Sequence, residues 1–143
     1  MARAKTYLVP VDFSKGSEAA LDQAVKMAKE NKAKLLLLHV ISTAFTFPLE
    51  SGFVEILDIL EKNARESMAK LVRKKRLNPR QCRSLLITGL NPADIIASVA
   101  KKSRPAMIIM GSHGRTGLQR FMIGSVAERT LRYAQCPVLI VKK

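Results

Sequence analysis

The sequence predicts an α/β fold: one domain, residues 1–143, built on an open parallel sheet with helices packed on both faces. Three observations carry this expectation. Short runs that are apolar throughout alternate with amphipathic helical stretches, as strands covered on both sides alternate with crossover helices. No internal repeat, low-complexity tract or linker divides the chain. Its 143 residues match the usual ~150 of one domain, and a chain of that length buries roughly two-thirds of the surface its unfolded form exposes. It needs neither a disulfide nor a structural metal to fold.

The first strand is Thr6 to Val11, ending at Asp12. Pro10 cannot donate to a ladder, so it marks either a strand already ending or a point without central pairing. Ser14 to Ser17, with Gly16, reads as a turn. Leu21, Ala24, Val25 and Ala28 recur at i, i+3, i+4 and i+7 and predict an amphipathic helix from Glu18 to Asn31. Lys34 to Ser42 is the second strand, nearly all apolar. Residues 43–52, with Phe45, Phe47, Pro48 and Gly52, have no periodicity and read as a loop of lid-like aromatic character.

From Val54, the spacing of Leu57, Leu60, Ala64, Met68 and Leu71 predicts a long helix, with Glu61–Arg65 and Glu66–Lys70 as i, i+4 pairs. Asn78-Pro79 breaks the chain, and Arg83 to Thr88 is a third strand ending in Gly89. Asn91 as N-cap, Pro92 at the first helical position and Asp94 in the first turn start the next helix. Ile95, Ile96, Val99 and Ala100 supply its buried face. Ala106 to Met110 is a fourth strand, Ser125 to Tyr133 a last helix, and Pro137 to Val141 a fifth strand.

Lys and Arg number 25 against 11 acids, a formal charge of +14. That excludes an acidic solvating protein and directs attention to anionic partners: nucleotide, nucleic acid or anionic lipid. Cys82 and Cys136 lie too far apart, with too few companions, for a zinc site or a disulfide scaffold. The N-terminal stretch lacks the ~7–15-residue apolar core of a signal peptide, and no run approaches the ~18 apolar residues of a membrane span. The expectation is a soluble, cytoplasmic protein.

In open parallel sheets ligands sit beyond the carboxyl ends of the strands, where strand order reverses. The residues there are Asp12, Ser42, Thr88-Gly89 and the stretch Gly111-Ser112-His113-Gly114-Arg115. From Gly114 nine residues lead to Gly124-Ser125 at a helix start. Glycines let a backbone approach a phosphate, and a helix N-terminus offers free N–H groups and the positive end of its dipole. Charge-assisted hydrogen bonds of about 1.5–3 kcal/mol each make a few of them enough for a triphosphate. Neither G-x-x-x-x-G-K-[ST] nor G-x-G-x-x-G occurs, so a P-loop ATPase and a dinucleotide-binding protein are not indicated. On physics alone, a plain surface loop stays open as the alternative.

The chain also resembles a known family. Leu-Val-Pro-Val-Asp-Phe-Ser with the following Ser-Glu-Ala-Ala-Leu, the Leu-Leu-Leu-Leu-His-Val of the second strand and the terminal Cys-Pro-Val-Leu-Ile-Val are similar to universal stress proteins. The spacing of Gly111, Gly114, Gly124 and Ser125 resembles that family's ATP-binding signature. The resemblance implies a Rossmann-like, adenine nucleotide alpha hydrolase-like sheet in order 3-2-1-4-5. It implies ATP with Mg²⁺ or Mn²⁺ as ligand, Asp12 facing the ribose or a phosphate-bound metal, and the backbone around Val40 meeting the adenine. Gly111, Gly114, Gly124, Ser125 and Val126 would hold ribose and phosphates, with Pro10, Val11, Ser112, His113 and Arg115 completing the set. It also implies a homodimer joined through the strand Val138–Val141.

Other polar residues have plainer readings. Asp12 can cap the turn after it, and we assign it the ligand role instead. His39, inside an apolar strand, is a hydrogen-bonded core histidine. His113 could reach a phosphate, and a mobile loop position suits it better than the role of general base. Arg115, Arg120, Arg129 and Arg132 each read as solvated surface residues near the motif. No Ser/His/Asp or carboxylate-pair pattern names a catalytic base, so hydrolysis would at most be slow. The acid-free run from Lys70 to Arg83 reads as a solvated helix end. It also motivates a rival reading, a basic module for nucleic acid or an acidic protein, which two Tyr and five Phe do not favour because they offer few stacking platforms.

Overall fold

In the computed structural model, which describes residues 3–44, 52–113 and 122–142, strands and helices alternate along the whole chain. They are β1 (Thr6–Pro10), α1 (Lys15–Asn31), β2 (Lys34–Ser42), α2 (Phe53–Lys74), β3 (Cys82–Gly89), α3 (Pro92–Ser103), β4 (Met107–Gly111), α4 (Ser125–Tyr133) and β5 (Val138–Val141). All five strands are parallel, in the order β3-β2-β1-β4-β5. This is the predicted α/β class and the strand order that the resemblance implied.

Alternate residues of the central strands feed two cores. Val9, Leu35, Leu37 and Ile109 pack with Leu21 and Ala24 of α1 and Met68 and Leu71 of α2. Leu8, Leu38 and Ile108 pack on the other face with Ile96 and Val99 of α3 and Ala127 of α4. Leu8, Leu37, Leu38, Ile108 and Ile109 are almost entirely buried, each contributing roughly 1.5–3 kcal/mol by removal from water. β3 departs from the expectation of strands covered on both faces. It is an edge strand, and Arg83, Ser84 and Thr88 are exposed.

Pro10 is the last residue of β1, so the strand ends there and its missing N–H falls where the ladder stops. The next N–H, of Val11, continues to Leu38 O at 2.8 Å. α1 begins at Lys15, earlier than Glu18, because Ser14 is its N-cap and Ser14 Oγ accepts the Ser17 N–H at 3.2 Å. The residues that read as a turn form the helix's first turn. α2 carries neither predicted i, i+4 pair among the described residues. Glu61 accepts instead from Thr88 Oγ1 at 3.2 Å, and Lys74 and Lys75 reach across to Glu18 and Asp22 of α1. Part of the basic run thus ties two helices together. Phe45, Phe47 and Pro48 lie outside the described residues. Among the described residues no helix is long and apolar enough to cross a membrane.

Candidate functional site

The central pair of strands parts at its carboxyl end. Pairing between β1 and β4 is confined to Tyr7–Met107 and Leu8–Ile108, after which β1 runs on to Pro10 beside β2 and β4 to Gly111 beside β5. The crevice expected at a reversal of strand order therefore opens between Val11-Asp12 and Gly111-Ser112.

The first turn of α1 seats directly on the end of β4. A Cβ on Gly111 would lie 2.9 Å from the backbone C and O of Gly16, and a Cβ on Gly16 would lie 3.0 Å from His113 O. Two main chains touch where any side chain would separate them. Gly111 reads in the sequence as a phosphate-approach glycine, and the fold already uses its missing side chain for this contact. Nothing in the sequence marks Gly16 as part of the site, because the contact joins residues distant in sequence.

The β1–α1 turn is tied internally. The Asp12 carboxylate accepts from the Ser14 N–H at 3.0 Å and from the Ser14 hydroxyl. The Asp12 N–H donates to Ser17 Oγ at 3.3 Å, and that buried hydroxyl donates to Ser14 O at 3.1 Å. Asp12 thus performs the capping job weighed above, and does so half-buried beside the crevice. Phe13 follows with φ of 65°, a left-handed backbone that costs a bulky residue about 1–3 kcal/mol and persists only where its surroundings impose it. Here they do. Its ring lies against His39, centroids 4.5 Å apart. His39 is 8% exposed and its Nδ1 is 2.7 Å from Val11 O. A carbonyl only accepts, so Nδ1 carries the proton. His39 is the core histidine predicted, and it clamps the backbone leading into Asp12.

The two halves of the glycine motif meet. The Gly124 N–H donates to Ser112 O at 2.7 Å, joining the start of α4 to the end of β4. Ser112 is buried, its N–H reaches Val141 O at 3.2 Å, and its Oγ is 2.9 Å from His113 Nδ1. α4 begins without a side-chain cap, since its N-cap is Gly124. Ser125 is exposed there, whereas Val126 packs its side chain into the α3–α4 core and has only main-chain groups to offer. Val40 packs in the same core from β2, opposite Ile87. Gly114, Arg115 and Arg120 lie outside the described residues.

A profile of the Universal stress protein family matches residues 4–142. The chain belongs to that family. Among its relatives, the universal stress protein MJ0531 of Methanocaldococcus jannaschii is 33% identical over 141 residues, covering 97% of this chain and 82% of that protein. The solved structure of MJ0577 from the same organism superposes with a TM-score of 0.87 at 29% identity, covering 99% of this chain and 98% of that one. A universal stress protein of Archaeoglobus fulgidus, solved in complex with dAMP, shares the fold with a TM-score of 0.68 at 24% identity, covering 99% of this chain and all of that one.

The polar residues around this universal stress protein fold divide by partner. Arg129 pairs with Asp94 at 3.5 Å and Arg132 with Glu128 at 3.0 Å, so both are engaged on the α3–α4 surface. No group of three or more His, Cys, Asp or Glu gathers to hold a metal among the described residues. Burial pushes the Cys82 thiol up to about 11, and that of Cys136 upward too, so both stay protonated at neutral pH.

Proposed function

We propose that this universal stress protein binds ATP with Mg²⁺ or Mn²⁺ between β1 and β4, as a cytoplasmic regulatory module with at most slow hydrolysis. The observation that carries the reading is the uncapped start of α4, fastened by the Gly124–Ser112 hydrogen bond beside the parted strands. Free N–H groups and the positive helix end suit a polyphosphate. A related fold is solved in complex with dAMP, which favours an adenine nucleotide as the class of ligand.

In this reading Ser125 and the main chain of Gly124 and Val126 hold phosphates with Gly111, Ser112, His113, Gly114 and Arg115. The backbone around Val40 meets the base, with the main chain of Val11 beside it, and Pro10 ends β1 so that Asp12 stands at the rim. The described residues gather no cation cage of their own. Mg²⁺ commonly binds through one or two carboxylates plus substrate phosphates, which suits Asp12 acting with the nucleotide. Titration calorimetry on nucleotide-free protein with Mg²⁺ should show saturable ATP binding, and Gly124→Val should abolish it while circular dichroism stays near wild type. Absence of binding, or normal binding by the folded variant, overturns the reading.

Assembly belongs to the same proposal. β5 is an edge strand carrying Val138, Leu139, Ile140 and Val141. Antiparallel pairing of β5 with its copy about a two-fold axis would close both edges in a homodimer. Sedimentation should give a dimer that a folded Leu139→Pro variant shifts towards monomer.

A further inference from the structure

The end of the sheet opposite the proposed nucleotide site collects cations from four separate segments. Strand starts and helix C-termini share this end. Arg3 and Lys5 precede β1, Lys32 and Lys34 bracket the entry to β2, and all are exposed. Arg76, Arg80 and Arg83 flank the start of β3. Lys101, Lys102 and Arg104 close α3 just before β4. The backbone fixes their neighbourhood: the Lys34 N–H donates to Lys5 O, the Leu35 N–H to Gln81 O and the Ala106 N–H to Thr6 O. None of these cations is in an ion pair among the described residues, and these segments hold no acid, the nearest in sequence being Glu30, late in α1.

Helix dipoles explain only part of this. Cations in a last turn complement the negative helix end, which accounts for Lys101 and Lys102. Arg3, Lys5, Lys34, Arg80 and Arg83 stand outside the helices, where that effect asks for nothing. With Lys101, Lys102 and Arg104 ahead of β4 they form a strip across β3-β2-β1-β4. Three strand spacings of about 4.8 Å make it roughly 15 Å long.

We infer that this strip is a sequence-independent docking surface for the phosphate backbone of a nucleic-acid duplex. Over ~15 Å a duplex carries about nine phosphates, at one per ~1.7 Å of axis. Arg3, Arg76, Arg80, Arg83 and Arg104 bring guanidinium forks suited to phosphate. The strip holds no aromatic side chain for stacking bases, so readout stops at the backbone. It also lacks exposed large apolar residues. Val54, Ile59, Leu90, Met122 and Ile123 lie towards the other end, and the exposed Leu131 and Tyr133 close α4 ahead of β5, beside the strip and not on its four strands. A membrane-inserting face or a protein hot spot would want such residues here. The run from Lys70 to Arg83, bland by itself, contributes only the β3 third of the strip.

The test compares two triple charge reversals in the full chain, each lowering the formal +14 to +8. One is Lys34→Glu, Arg80→Glu and Arg83→Glu in the strip. The other is Lys15→Glu, Lys62→Glu and Arg65→Glu, on exposed helix positions elsewhere. Fluorescence anisotropy with a labelled 20-base-pair duplex should show binding that weakens with salt. The strip variant should lose about 10- to 100-fold, with its log–log salt slope reduced by about 2 to 3, while the control stays within about threefold. Equal losses in the two variants would make the effect one of bulk charge and overturn the proposal. So would failure of the wild type to bind duplex, whether or not it binds anionic vesicles or poly-glutamate. Circular dichroism confirms that both variants fold.

Discussion

The two ends of the sheet are made from the same elements and face opposite chemistries. Where the strands finish, helices present their N-termini, two glycines bring main chains into contact, and β1 parts from β4. Where the strands begin, helices present their carbonyl ends and the flanking segments carry exposed Lys and Arg. An anion at the first end is met mainly by fixed backbone groups, so recognition there depends on shape. An anion at the second is met by long flexible side chains, so recognition depends on charge count and salt. On the two proposals together, one basic protein would hold a nucleotide and a polyanion without either competing for the same groups.

The largest separation between the ends should come from backbone shape. Gly111→Ala places a methyl 2.9 Å from the Gly16 backbone, and neither main chain has a rotamer with which to give way. We expect ATP affinity to fall at least about tenfold and stability by about 1–3 kcal/mol, measured by calorimetry and urea denaturation, with duplex binding per folded molecule unchanged. Next, the strip reversals should reduce duplex binding while leaving ATP affinity within about twofold. A joint loss would mean that the two ends are not independent. Ser14→Ala removes the α1 cap and one donor to Asp12, which should cost about 1 kcal/mol in urea denaturation and weaken ATP more than duplex.

The smallest effect lies between the ends. The Lys74 hydrogen bond, backed by Lys75, holds the Glu18 carboxyl below its ordinary 4.5. A depressed carboxylate contributes stability that is present above its unfolded value and lost as pH falls through the folded one. Lys74→Met should therefore cost about 0.2–1 kcal/mol near neutral pH, and the difference from wild type should shrink below about pH 4.5. Lys75 is raised, chiefly by Asp22, so its contribution is present below its ordinary 10.5 and lost only as pH rises through the folded value.

Legibility in the sequence followed the range of the interactions. β2 and α4 lie at the residues their patterns predicted, and Asn91-Pro92 starts α3 because cap and first-turn chemistry is local. The order of strands came from family resemblance, since no strand's own periodicity names its neighbours. Ser14, Gly16 and Ser17 misled because Ser and Gly serve turns and helix caps alike. What separates the two at Gly16 is the distant end of β4. The exposed β3 and the α1–α2 ion pairs were hidden for the same reason, as edges and interhelical contacts are decided by packing. The site was legible as a set of loop residues and much less as a geometry. The hydrogen bond that joins its halves spans residues from Ser112 to Gly124.

Amide chemical shifts recorded during titration with Mg²⁺ and ATP test most directly which end receives the nucleotide. The account predicts the largest changes at Asp12, Val40, Ser112, His113, Gly124, Ser125 and Val126, saturating together, with Lys34, Arg80 and Arg83 nearly still. Changes concentrated at Lys34, Arg80 and Arg83, titrating away with added salt, would contradict it.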